Sequence, residues 1–366
     1  MDFSFTEEQQ MLREQVRSFM ASEFPHERIA ELSASDEGWD PSSWPKMAEL
    51  GWTGLSIPEE HGGAGMSFLE EAVLIEELGY GLYPGPYLST IALALPALQG
   101  APDVLESVAS GGARVALAFA EPTGARTVED TDRLTTAAES DGDEWTLTGI
   151  KEPVADLPLA THVVVSATTT GGAGLWLVEP HGDAVTPLGS IDSTRRMGRL
   201  TLESHRATLL VAPAQGDVVL SHIRRRTDAA LALEAVGIAQ RVLELARDYA
   251  SERRQFDRAI GSYQAVSHQI ADTYMSTELA RSLAYWAAWS VAESTEEADR
   301  AAAAAHSMSG EAAVVACERS IQVHGGIGFT WEHILHRYYK RALAISSFNG
   351  TPATQRAAIA ASLLDH

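Results

Sequence analysis

The stretch "DVVLSHIRRRTDAALALEAVGIAQRVLELARDYASERRQF", residues 217–256, decides how the rest of the chain is read. It reads as a single helix of more than 30 residues. Two more long helical segments follow it, 262–294 and 297–325, the second ended by Gly325-Gly326. "WEHILHRYYKRALAISSF" (331–348) supplies a fourth. Long helices joined by short loops imply an antiparallel four-helix bundle.

Upstream the texture changes. Between residues 112 and 215, β-branched runs such as "ARVALAFAEP", "THVVVSATT" and "AGLWLVEP" are separated by Gly, Pro and Asp at roughly even spacing. That pattern predicts a small antiparallel barrel or sandwich. Residues 1–111 read as helical. "FTEEQQMLREQVRSFMASEF" sets Met11, Leu12, Val16 and Phe19 on one stripe behind a Thr6 N-cap. "SSWPKMAELGWTGLSI" gives a helix ending at Gly51, "SFLEEAVLIEELGYG" a third, and "YLSTIALALPAL" a fourth, apolar enough to be buried. The order helix, strand, helix predicts an α+β chain of three domains, 1–111, 112–215 and 216–366, the last expected to carry oligomerisation surfaces.

Bulk properties narrow the function. A chain of 366 residues is long enough for two or three domains with sizeable cores. A net charge of -23 argues against nucleic acid or an anionic membrane as partner. No run of about 18 apolar residues is present to span a bilayer. The acidic start "MDFSFTEEQQML" lacks the parts of a signal peptide, so a cytoplasmic location is expected. The single cysteine, Cys317, excludes disulfides within the chain and reads as a packed, inert thiol; no metal site is expected.

Three motifs carry a family resemblance. "SERRQFDRAIGSYQAV" (251–266), "QVHGGIGFTWEH" (322–333) and "IPEEHGGAG" (57–65) resemble the C-terminal helix signature, the glycine-pair turn and the N-terminal loop of acyl-CoA dehydrogenases. The interval from Gln322 to Asn349 matches, without a gap, the family distance to the catalytic glutamate. The resemblance covers the whole chain. It implies an acyl-CoA dehydrogenase fold and FAD as cofactor. It also implies an acyl-CoA thioester desaturated between its α and β carbons, and an electron-transfer flavoprotein or similar acceptor. Members are usually tetramers in which each FAD spans two subunits. A carboxylate within hydrogen-bond reach takes the α proton, and the flavin supplies the hydride chemistry.

The implied site divides in two. The half offered to a neighbouring subunit is present. Arg253 stands where the family pairs with the FAD diphosphate, accompanied by Gln255, Phe256 and Gln264. Gln322, Gly325 and Gly326 stand at the turn that brings backbone N–H groups to phosphate. The half that would hold this chain's own flavin ring is altered. "AFAEPTGART" (118–127) keeps Glu121-Pro122, but Ala120 and Arg126 stand where hydroxyls are typical. Pro153 and Ala155 replace residues that stack on the ring and donate to it. In "ISSFNGTPATQR" (345–356), Thr351 remains, Ala353 replaces a glutamine, and Asn349 occupies the position of the base. An amide has no useful basicity near neutral pH. Some members carry the base on the first long helix of the bundle, a position held here by Thr227. Asp228 beside it, and Glu234 two turns on and about 10 Å away, are the candidate relocated catalytic bases. Each has a competing reading as a carboxylate paired with arginine.

These departures imply the base-lacking, FAD-sharing subunit of a heteromeric acyl-CoA dehydrogenase, resembling the degenerate partners in actinobacterial sterol side-chain breakdown. Two alternatives stay open. One is a self-sufficient homotetrameric dehydrogenase with Glu234 or Asp228 as base. The other is a flavin monooxygenase on the same fold, which does not need the base.

Overall fold

The computed structural model describes residues 5–142 and 144–364; residues 1–4 of the acidic N-terminal stretch lie outside them. Five helices come first: α1 (Glu7–Glu23), α2 (His26–Ala34), α3 (Ser43–Glu49), α4 (Phe68–Tyr80) and α5 (Pro102–Ala109). Thr6 caps α1 and Ser67 caps α4, each in a reciprocal box with the residue three on, Gln9 and Glu70. Each box satisfies orphan backbone N–H groups at the helix start. The apolar run after α4 is buried, as its composition predicts. It does not wind as an α-helix, however: Leu88–Ala94 is a π-helix and Leu95–Gly100 a 3₁₀ segment. Pro96, which has no N–H to donate, sits at the change of winding.

Seven strands follow: β1 (Val115–Ala118), β2 (Ala137–Asp141), β3 (Glu144–Ala155), β4 (His162–Thr169), β5 (Gly172–Val178), β6 (Val185–Leu188) and β7 (Met197–Val211). Pairings run β4–β2–β3–β7–β5 and return to β4, so these five strands close into a barrel; β1 adds to β4 and β6 to β7. The barrel is not purely antiparallel. β1 runs parallel to β4, and β2 meets β4 in parallel through one residue pair, Ala137 and Thr168. Leu147, Val163, Val165, Trp176, Leu200 and Leu202 fill its interior. Glu121, retained from the family motif, is buried and serves this domain. It pairs with the buried Lys151 Nζ at 2.7 Å and accepts from Thr135 and Thr136. Burial pulls the Lys151 ammonium down to about 8 despite its partner.

The bundle is built on α6 (Pro213–Glu252), 40 residues long. Every residue of α6 from Arg226 to Ala239 is buried, which is the state expected of a helix apolar on nearly all sides. α6 ends earlier than its sequence period implied. Arg254–Gln255 (β8) and Arg258–Ala259 (β9) form a hairpin, with Phe256 and Asp257 left-handed at its tip, φ 51° and 62°. The chain continues through α7 (Gln264–Ala292), α8 (Ala298–His324), α9 (Leu335–Ser347) and α10 (Pro352–Leu364). Cys317 is fully buried on α8, and burial pushes its thiol far up, as suits an inert core sulfur.

Where α4 crosses α6, two glycines let the backbones touch. A Cβ on Gly237 would collide with the Glu76 carbonyl, and one on Gly79 with the backbone of Glu234. Neither clash is relieved by a side-chain rotation. Gly237→Ala should therefore destabilise the fold by about 1–3 kcal/mol, the usual cost of overpacking a core. Urea unfolding reads this directly, and an unchanged midpoint would contradict the backbone contact.

Candidate functional site

Asn349 lies in the turn after α9 with φ 56°, a left-handed conformation that asparagine tolerates better than most residues. Its side chain is buried, and both ends of the amide are in use. Oδ1 accepts from the Val128 backbone N–H at 2.9 Å, and Nδ2 donates to Asp228 Oδ1 at 3.0 Å. Asp228, fully buried on α6, is also met by His306 Nδ1 at 3.0 Å, Arg224 Nη1 at 3.3 Å and Gln355 Nε2 at 3.4 Å. The other nitrogen of His306 faces the Ile345 carbonyl at 3.2 Å. Burial alone would lower the His306 imidazole, but the bond and charge of Asp228 outweigh it, and the ring is held above its ordinary value. An amide serves here because it donates to Asp228 while accepting from Val128; a carboxylate could do only the second. Thr227, next on the helix, is buried, and its hydroxyl has no partner among the described residues.

Glu234 is held by a second network. Arg195 Nη2 meets its two oxygens at 2.9 and 3.1 Å, and Arg341 Nη1 reaches Oε1 at 2.6 Å. Arg341 also pairs with Asp192 and donates to Thr194 Oγ1 at 2.6 Å. Burial would raise the Glu234 carboxyl, but the two guanidinium groups win and hold it below the usual range. Nearby, burial pushes the Asp156 carboxyl up to about 6 against the pull of Arg195 and a Ser89 hydroxyl 2.8 Å away. A group that serves as general base does better with a pKa near the operating pH. The geometry gives Glu234 the opposite setting.

A cavity of about 510 Å³ opens beside these networks. Its lining brings together the sequence-marked residues Ala120, Arg126, Pro153, Asn349 and Thr351. Phe119 and Phe348 form part of its wall, ring centroids 5.7 Å apart and edge to face. Ala155 is not part of it; it pairs with Met197 inside the sheet. Asp228 and Glu234 do not line it either.

The other marked residues gather at the far end of α6, about 37 Å from Asp228 by helical rise. Arg253 ends α6, exposed, and among the described residues no carboxylate pairs with it. Gln255 and Phe256 follow on the hairpin, Phe256 being 86% exposed. Gln264 opens α7, and Gln322 is exposed in the last turn of α8. Gly325, at φ +61°, and Gly326 have open space where a Cβ would stand. Val323 packs against Ala246 and Ala250, and His324 stacks on Tyr249 at 4.4 Å, so the hairpin and the glycine turn share one end of the bundle. His324 is spent in this packing and in a bond to the Ser320 carbonyl. Arg258 on the same hairpin, a further exposed guanidinium, lies 3.9 Å over the ring of Tyr263.

The donor sets at the two ends fit different parts of FAD. Free guanidinium and amide groups beside an uncrowded glycine turn suit phosphate oxygens. The cavity has room and aromatic walls, but Ala120 and Pro153 offer no side-chain donor to a flavin ring and Asn349 is already committed. Within this chain α6 sets the Asp228 network and Arg253 about 37 Å apart.

Residues 6–100 match the family model described as acyl-CoA dehydrogenase, N-terminal domain, and residues 225–364 the corresponding C-terminal domain. The chain is 35% identical to acyl-CoA dehydrogenase IpdE2 of Mycobacterium tuberculosis over 340 residues, 92% of this chain and 91% of that one. Among solved structures, it superposes on the ChsE4-ChsE5 complex from Mycobacterium tuberculosis with a TM-score of 0.90 and 28% identity, covering all of both chains. It superposes on a variant of the Tcur3481-Tcur3483 steroid ACAD with a TM-score of 0.87 and 29% identity, covering 98% of each.

The His306–Asp228 contact predicts a pH dependence of stability. With its folded pKa above the ordinary imidazole value, His306 contributes in full below that value and loses the contribution as pH climbs through the raised one. His306→Gln should therefore lower the unfolding free energy more at about pH 5.5 than at about pH 8.5. Denaturant titrations at the two pH values check this, and an equal loss at both would show that the ring is neutral in the fold.

Proposed function

The chain belongs to the acyl-CoA dehydrogenase family of FAD-dependent oxidoreductases, and from that premise we propose that it is the base-lacking, FAD-sharing subunit of a heteromeric acyl-CoA dehydrogenase. The observation that carries the proposal is Asn349. It stands at the base position, cannot take a proton, and is locked between Val128 and Asp228. On this reading Asp228 and Glu234 are structural carboxylates. Four donor groups surround the first, and two arginines hold the second ionised away from the cavity.

The residues that fit the cofactor then act for a neighbour. Arg253, Gln255, Phe256, Gln264, Gln322, Gly325 and Gly326 bind the diphosphate and AMP end of an FAD whose ring lies in the partner chain. When bound, the flavin would supply the hydride-accepting chemistry at the β carbon. Arg253 neutralises phosphate, the glycine turn admits its oxygens to backbone N–H groups, and Phe256 covers apolar surface across the interface. Thr351, in the altered cavity, keeps a hydroxyl that its surroundings no longer employ for a ring.

The partner is a second acyl-CoA dehydrogenase chain, in a tetramer, passing electrons to an electron-transfer flavoprotein or similar acceptor in the cytoplasm. The ChsE4-ChsE5 neighbour, a complex of two named chains, and the neighbour described as a steroid ACAD support this. The second of these also favours an acyl-CoA thioester derived from a sterol as substrate. Among the described residues no helix is long and apolar enough to cross a membrane.

Expression of the chain alone tests the proposal: it should carry no stoichiometric visible flavin band and turn over no acyl-CoA. A yellow, active, isolated chain would sink the reading. In a complex co-expressed with a second dehydrogenase chain, Arg253→Ala should weaken FAD retention about tenfold or more, the scale of a lost charge-assisted hydrogen bond. Asn349→Ala should leave the turnover of that complex within about twofold, whatever it does to stability; a large loss of turnover would contradict a base-free role.

A further inference from the structure

The inner end of the cavity is closed by Arg195. Its side chain lines the cavity on one side and, on the other, a void of only about 20 Å³ bounded by Ile75, Tyr87 and Leu88. The side chain is 9% exposed and uses a single nitrogen, Nη2, on Glu234. Among the described residues, Nε and Nη1 have no hydrogen-bond partner, and neither is sealed from open space. A buried guanidinium with donors to spare on a cavity floor is a recognition element, because a ligand lacking an acceptor there leaves those donors unpaired.

The charges packed around Arg195 bear on the kind of acceptor; Arg126, Asp130 and Arg133 also line the cavity, the two arginines exposed to solvent. The two cations, Arg195 and Arg341, are balanced by the two anions Glu234 and Asp192 within the same network. Asp156 stands close enough for Arg195 to act on its titration. A ligand carboxylate on the floor would add negative charge beside three acidic side chains. An uncharged oxygen brings acceptor lone pairs without that cost. The walls above the floor include Phe119, Ala120, Pro153, Met197, Ala344 and Phe348, which suit an apolar body.

We propose that this cavity binds an apolar cyclic or branched molecule bearing an uncharged oxygen, a ketone or hydroxyl, that accepts from Arg195 Nε or Nη1 at the floor. Arg195 is thus the residue that sets ligand selectivity in this chain, independently of whether the chain holds a flavin or a partner.

The test uses the purified full chain and the neutral bicyclic ketone 2-decalone, with affinity read by ligand-observed NMR titration. Wild type should bind the ketone more tightly than decalin-2-carboxylate. Arg195→Met, which leaves Arg341 on Glu234, should weaken ketone binding about tenfold, the scale of a hydrogen bond from a charged donor. Arg195→Lys should restore part of it. Ala344→Phe, which fills the cavity without touching the charge network, should abolish it while the thermal midpoint stays near that of wild type. Each of four results would overturn the proposal: no ketone binding to wild type, equal binding by Arg195→Met, undiminished binding by Ala344→Phe, or preference for the carboxylate. Should Arg195→Met fail to fold, Ala344→Phe and the comparison of ketone with carboxylate decide alone. None of these readouts involves flavin or a second chain, so their failure leaves the heteromeric reading standing, and the reverse holds too.

Discussion

Two carboxylates on one helix, Asp228 and Glu234, are buried where water cannot solvate them, and much of the molecule is arranged around neutralising them. An unpaired buried charge costs several kcal/mol, and removing one partner of such a pair typically costs about 3–5 kcal/mol. The partners come from every quarter of the fold. His306 arrives on α8, Arg341 on α9, Arg195 from the segment before β7, and Asn349 from the turn before α10. Two residues before Asp228, Arg226 on α6 pairs with Glu71 on α4. Through these contacts α6 is the member on which the helical N-terminal region, the barrel and the bundle all close. The glycine crossing of α4 over α6 draws the first of these interfaces tight enough for the charges to meet.

The same helix separates the two chemistries. The middle of α6 carries the network around Asn349; its C-terminal end leads into the hairpin and Arg253, which has no carboxylate partner among the described residues. Beside that hairpin and the glycine turn stand large exposed apolar side chains: Phe256, Phe329 at 75% and Trp331 at 71%. Aromatic residues beside arginine are what a protein interface enriches. Both ends of the buried Asn349 amide are already in use, while the exposed groups at the C-terminal end of α6 are where a second chain would gain most. Both features follow from where hydrogen-bonding capacity is spent.

Much of this was legible in the sequence because helix periodicity, strand alternation and caps are local. The Thr6 box, the long helices and the barrel strands all depend on neighbours a few residues apart. The end of α6 was misjudged for a local reason as well. Phe256 continues the apolar period, yet its backbone is left-handed and its ring faces solvent. The networks were not legible, because their contacts are long-range: Asn349 and Asp228 are 121 positions apart. Arg195, Asp192 and Arg341 belong to no motif and went unmarked. His306 did leave a signal, a lone imidazole inside "AAAAAHSMSG", since a titratable ring on an all-alanine face must find a buried partner. The arginine on the buried stripe of α9 is a similar signal.

The left-handed turn at Asn349 also bears on how reversible this chain's chemistry is. Putting a glutamate back at that position asks a longer side chain to take a backbone conformation that few non-glycine residues adopt. It also sets a second anion against Asp228 and leaves Asp228 without its amide donor. An aspartate would suit the turn better but would still bring two carboxylates together. Recovering a base therefore requires coordinated changes at Asn349 and Asp228, and with Asp228 at its partners Arg224, His306 and Gln355. The route back by single substitutions passes through a destabilised protein. In that sense the turn works as a ratchet: with the amide built into the core, a carboxylate at position 349 is difficult to accommodate.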